Sequence, residues 1–372
     1  MSSIGMTEVK PPGPWNPGFK VQGKIHHYIS DILPAGQNNK PKFLQLYFHD
    51  PENESINRTT HPSNRELDIN YLEKAQNCLH RINPYINQIK THYEDFQNSA
   101  SQQELQLILT ADRTICPNNL HKGTLNMPMN TEIAVIQKGI NPSSKLDVMI
   151  KLRGGSIRRI DSMHPSYDPL SYTLLFPEGT DGYHDQLRKP TNGRSKITNL
   201  EFYRYRFQVR NVNNNFNLLL RAGKLSQQYQ CDMYAKIEAQ RLNWYKINQK
   251  TVKADKYRCV VDAISNDEET IPGRRTILPP TMYMSPRWYA KQFQDAMAIV
   301  REYGKPTYFI TFTCNPRWSE ITNSLLPYQK AEDRPDIVSR VFNLKWESLL
   351  TDILKKDILG HCDAYVATKE HQ

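Results

Sequence analysis

The sequence predicts an α+β fold, and three observations predict it. Short runs rich in β-branched and aromatic residues, such as Leu105–Leu109, Ile133–Ile136 and Tyr308–Thr313, have the composition of strands. Elsewhere apolar residues recur at helical spacing, as in Leu225, Tyr229, Met233, Ile237 and Trp244. The chain has 372 residues, of which 38% are hydrophobic, enough for two or three domains that each bury a core.

Taken in order, residues 1–18 are rich in proline and glycine and are expected to be disordered. Residues 19–190 are read as a mixed α/β accessory domain. Phe19–Ile32 and Lys42–Phe48 are expected as strands. Ser63-Asn64-Arg65-Glu66 has capping-box spacing, and Leu72, Ala75, Leu79 and Ile82 then share a helical face that Asn83-Pro84 ends. Leu105–Leu109, Ile133–Ile136 and Leu146–Ile150 follow as strands. Gly154-Gly155 suggests a hairpin. The basic stretch Arg188–Lys196 opens a connecting segment, 191–223.

Residues 224–372 form the second expected domain. A long helix covers about Lys224–Lys250, with Lys236, Arg241, Lys246 and Lys250 off its apolar stripe. Ser285-Pro286 starts another helix, a capping hydroxyl followed by proline at the first helical position. Tyr289, Phe293, Met297 and Val300 are its expected buried face, and Gly304 ends it. Tyr308–Thr313 is the expected central strand, stopped by Asn315-Pro316. It would deliver Thr311, Thr313, Asn315 and Arg317 to a sheet edge, where sites are commonly placed on a rigid scaffold. An ordinary core strand with its exit turn is the alternative. Asp336–Leu359 reads as a helix and Cys362–Thr368 as a further strand.

The net charge of +10 favours a polyanionic partner, although a solvated basic surface gives the same number. The six cysteines are far apart and include no CxxC pair, so neither a zinc finger nor a disulfide framework is supported. No apolar run is long enough to span a bilayer and the N-terminus lacks a signal-peptide core, so an intracellular protein with no membrane partner is expected. There is no GxxxxGK[ST] phosphate loop, so no ATP site is expected. His164, Asp168 and His184 match no metal-ligand frame, and a structural role is preferred for them.

Several stretches, in one order, resemble the helicase-like N-terminal region of Helitron transposases. They are FKVQG (Phe19–Gly23), KFLQLYF (Lys42–Phe48), TEIAVI (Thr131–Ile136), HPSYDPLSYTLLFPEGTDGYH (His164–His184), QYQCDMYAKIEAQRLNW (Gln228–Trp244), GRRTILPPTMYMSPRW (Gly273–Trp288), QDAM (Gln294–Met297) and FITFTCNPRWSEI (Phe309–Ile321). The resemblance implies a Rep domain of the HUH-endonuclease type: an antiparallel sheet flanked by helices, here incomplete. In that group two histidines separated by one residue hold a divalent metal such as Mg or Mn, which polarises a DNA phosphate. A tyrosine then attacks the phosphorus. This sequence contains no His-X-His; His26-His27 are adjacent. It is therefore expected to be a truncated fragment with no catalytic residues, no cofactor of its own and no cleavage activity. Glu370 or Gln372 would be a third metal ligand only in a full-length protein.

The resemblance implies single-stranded DNA as partner and the nucleus as location. Thr311, Thr313, Asn315, Arg317 and Trp318 are the candidate DNA contacts, with threonine and arginine on phosphate and Trp318 stacked on a base. In the alternative, Asn315 caps the next helix and Trp318 packs in the core. Packing is preferred for Trp318 and DNA contact for Arg317. A non-catalytic nucleic-acid-binding protein and an inert transposon remnant with an open sheet edge are the competing readings of the whole chain.

Overall fold

The computed structural model describes residues 3–8, 21–29, 45–48, 54–61, 64, 66–87, 106–109, 135–136, 148–151, 158–185, 187–189, 195–209, 217–250 and 276–368. The strands are β1 (Ser3–Glu8), β2 (Val21–Ile29), β3 (Gln106–Leu109), β4 (Val135–Ile136), β5 (Val148–Lys151) and β6 (Arg158–Arg159). The helices are α1 (Gln45–Phe48), α2 (Glu54–Thr59), α3 (Ile69–Ile82), α4 (Tyr167–Ser171), α5 (Asn199–Arg206), α6 (Lys224–Ile247), α7 (Pro286–Tyr303), α8 (Ser319–Thr322) and α9 (Pro335–Lys355). The chain forms two compact units, Met1–Met233 and Tyr234–Gln372.

In the first unit, two antiparallel three-stranded sheets run in the orders β1-β2-β6 and β4-β3-β5. β1 pairs with β2 from Ser3↔Tyr28 to Glu8↔Val21. Ser3–Glu8 was expected to be disordered, but it takes the free edge of β2, where its backbone groups find partners. β5 pairs with β3 and β6 with β2; the hairpin expected at Gly154-Gly155 lies outside the described residues. Gln45–Phe48 is helical where a strand was expected. The cap of α3 is Asp68, whose carboxylate accepts the Asn70 N–H, and Asn83 closes the helix as anticipated. Tyr167–Phe176 carries α4 and tight turns.

A buried polar network runs through this unit. Asp232 of α6 accepts hydrogen bonds from the Tyr167 and Tyr172 hydroxyls at 3.0 and 2.9 Å, and it lies 2.8 Å from Nε2 of His27 on β2. Asp168 accepts from Tyr229 at 2.8 Å, from Tyr203 at 3.1 Å and from Arg206 at 2.7 Å. The Arg206 guanidinium lies over the Phe176 and Phe202 rings, 4.4 and 4.8 Å from their centroids. Burial, then the neighbouring Asp168 carboxylate, pushes Tyr203 and Tyr229 well above the ordinary phenol range, so both remain donors. Buried carboxylates are tolerated only when satisfied in this way. The segment 191–223, read as a connector, thus supplies Tyr203 and Arg206 to the network. Gly182 lies against Asp168, where an added Cβ would fall 2.7 Å from the carboxyl carbon.

In the second unit α7 begins as the sequence indicates. The Ser285 hydroxyl accepts the Trp288 N–H, Pro286 follows, and Gly304 (φ 85°) closes the helix. No residue of α7 is buried; Tyr289, Phe293 and Met297, the expected buried face, are exposed. Tyr229, Met233 and Ile237 of the α6 stripe are buried, whereas Trp244 is exposed. Neither Tyr308–Thr313 nor 362–368 forms a strand, and no strand occurs among the described residues of this unit. Phe309 is 94% exposed. A strand-prone sequence becomes a strand only when a neighbour supplies the ladder of hydrogen bonds, and no such neighbour stands among the described residues here.

Candidate nucleic-acid interface

The candidate site residues lie between the end of α7 and the start of α8, on a segment that turns back onto α9. Asn315 makes the turn. Its Oδ1 accepts the Arg317 N–H at 2.9 Å and its carbonyl accepts the Trp318 N–H at 3.1 Å. This is an Asx turn, not the helix cap considered from sequence, because Trp318 occupies the N-cap position of α8. Fully buried Ile321 anchors α8.

Exposure alternates along the segment. Thr311, Thr313 and Asn315 are exposed, as are Pro316 and Arg317, while Phe312, Cys314 and Trp318 are half-buried. The inward residues rest on an aromatic cluster. Phe312 stacks on Trp318 (centroids 5.9 Å apart, planes at 25°) and on Phe342 of α9 (5.4 Å, 28°), with Trp346 at 6.3 Å. Burial raises the Cys314 thiol above its ordinary range. The result is a polar, singly basic strip carried on a rigid aromatic base, although Tyr308–Thr313 is not a strand.

One further pair borders the strip. Lys345 of α9 donates to Glu320 Oε1 at 2.7 Å, and its Nζ lies 5.1 Å from the Trp318 ring centroid. The hydrogen bond from Lys345 is the main reason the Glu320 carboxyl is held below its usual range. Sequence reasoning did not single out Lys345, Glu320 or Trp346. The available signal was the i, i+4 aromatic pair Phe342 and Trp346, which marks the face of α9 that meets another aromatic element.

Thr311, Thr313, Asn315 and Arg317 thus share one exposed strip, and Trp318 is half-buried against Phe312. Glu370 and Gln372 lie outside the described residues. Asp168, weighed as a metal ligand, is bonded instead to Arg206, Tyr203 and Tyr229, and His164 Nδ1 accepts the Ser166 N–H at 3.1 Å. Among the described residues no group of His, Cys, Asp or Glu is arranged to hold a metal ion, and no helix is long and apolar enough to cross a membrane.

Residues 202–372 match the family described as the Helitron helicase-like domain at N-terminus, which supports a Helitron-related protein. The match takes in the whole interface strip, α8 and α9. No curated protein matches the chain.

Proposed function

We propose that this Helitron-related chain binds single-stranded DNA through the strip Thr311, Thr313, Asn315 and Arg317. The observation that carries the reading is the alternation itself: Thr311, Thr313, Asn315 and Arg317 are exposed, while Phe312, Cys314 and Trp318 are half-buried, with the Phe312 and Trp318 rings stacked on each other. Hydroxyl, amide and guanidinium groups are the usual holders of phosphate. The net charge of +10 supports a polyanionic partner. The domain match over 202–372 supports a protein of mobile-element lineage.

The reading assigns binding and not cleavage to these residues. A nicking centre of the type the resemblance implies needs two histidines one residue apart, and the sequence has none. ATP has no part in it, since the phosphate-loop pattern is absent from the sequence. The family resemblance supports the nucleus as its location.

Fluorescence anisotropy with labelled single-stranded and duplex oligonucleotides tests the reading. Binding to the single strand is expected at low salt, falling steeply from about 50 to about 200 mM. Equal preference for duplex, or no binding at low salt, contradicts it.

A further inference from the structure

We infer that Lys345 is a second phosphate-contacting cation of this surface and that Glu320 restrains it. The inference rests on the DNA-binding reading above. α9 carries Lys345 across α8, so that its ammonium meets both the Glu320 carboxylate (2.7 Å) and the Trp318 ring (5.1 Å to the centroid). The chain residue next to that indole is Arg317, the exposed cation of the strip.

An ammonium has three donor hydrogens. One is given to Glu320 Oε1, and the Lys345 side chain is one-third exposed, so the group remains open to an anion from solvent. The position is fixed more firmly than that of an ordinary surface lysine, because a π face and a carboxylate hold the same nitrogen. Glu320 itself is placed by α8, and its second oxygen accepts from Ser319 Oγ at 3.3 Å. Its carboxylate occupies a place beside Lys345 where a phosphate oxygen would bind, and it competes for the same donor.

The indole is already engaged, stacked on Phe312 and covered by Lys345. Trp318 is therefore not the stacking platform of this surface, and Lys345 and Arg317 meet the sugar–phosphate backbone of the strand. Binding should be indifferent to base sequence and carried by charge.

The test uses the full chain and a labelled oligothymidylate across a salt series. Lys345→Gln is expected to lower the slope of log affinity against log salt by about 1, as loss of one phosphate contact does. Lys345→Arg should keep the slope. Glu320→Gln should tighten binding about threefold, the scale of one exposed ion pair. That gain should vanish when Glu320→Gln is combined with Lys345→Gln. If Arg317→Ala weakens binding while Lys345→Gln leaves affinity and slope unchanged, the inference is overturned and the DNA-binding reading survives. If the unaltered chain does not bind, both fall. Unchanged affinity in Glu320→Gln overturns the restraining role.

Discussion

Arg206 donates to Asp168 across 38 residues of sequence, at 2.7 Å, with Asp168 fully buried. The same guanidinium nitrogen reaches the Tyr229 hydroxyl at 3.0 Å, and Tyr229 in turn donates to Asp168. Arg206→Leu would remove the counter-charge of a buried carboxylate that keeps its bonds from Tyr203 and Tyr229. Removing one partner of a buried pair is strongly destabilising, by about 3 kcal/mol or more. A urea titration should show the midpoint fall accordingly, whereas a shift within the range of ordinary surface changes would contradict the role given to this pair.

Gly182 allows that carboxylate its place. A methyl group there meets Asp168 Cγ at 2.7 Å, and Asp168 cannot swing away without breaking its bonds to Tyr203, Tyr229 and Arg206. Gly182→Ala is expected to destabilise by about 1–3 kcal/mol, the scale of overpacking. Differential scanning calorimetry would register this as a lower melting temperature; an unchanged one would mean that the close approach is absent in solution.

The start of α5 should respond to acid. The Glu201 carboxylate, hydrogen-bonded by Lys189 and by the Thr198 backbone and hydroxyl, is lowered from 4.5 to about 2. Because the folded state favours its ionised form, the contribution is fully present above pH 4.5 and is lost as pH falls toward about 2. Proton titration of Glu201 by NMR should place its midpoint near the lower value, and Lys189→Ala should move it upward. A midpoint that stays at 4.5 in the unaltered protein would refute the hydrogen bonds from Lys189 and Thr198 to Glu201.

Two neighbouring phenylalanines should behave oppositely. Phe312 packs among Trp318, Phe342 and Trp346, and Phe312→Ala should destabilise the second unit by about 2 kcal/mol, less than a fully buried phenylalanine loses. Phe309, 94% exposed, should tolerate serine within about 0.5 kcal/mol. Chemical denaturation followed by tryptophan fluorescence distinguishes them. Comparable losses at both positions would show that Phe309 is buried in solution.

The sequence was most legible where structure is local. The Ser285-Pro286 start and Gly304 stop of α7 could be read directly, because a cap joins a side chain to backbone two or three residues away. The buried Tyr229–Met233–Ile237 stripe of α6 was legible for the same reason, through helical spacing. The Asp168 and Asp232 networks were not. Their partners lie up to 205 residues distant, and an aspartate among tyrosines has no period that announces it. Composition misled at Gln45–Phe48, where strand-forming residues sit in a helix. At the site, Thr311, Thr313, Asn315 and Arg317 were named from sequence, whereas Lys345 and Glu320 needed the crossing of α8 and α9 to be seen.

The central claim is that Arg317 and its neighbours hold the backbone of single-stranded DNA. The most direct measurement is anisotropy of a labelled single strand against salt for the unaltered chain, for Arg317→Ala, and for Lys291→Ala, which removes an exposed charge from α7. The account predicts that Arg317→Ala alone weakens binding and lowers the salt slope by about 1. Equal behaviour of the two variants, or binding unaffected by either, would contradict it.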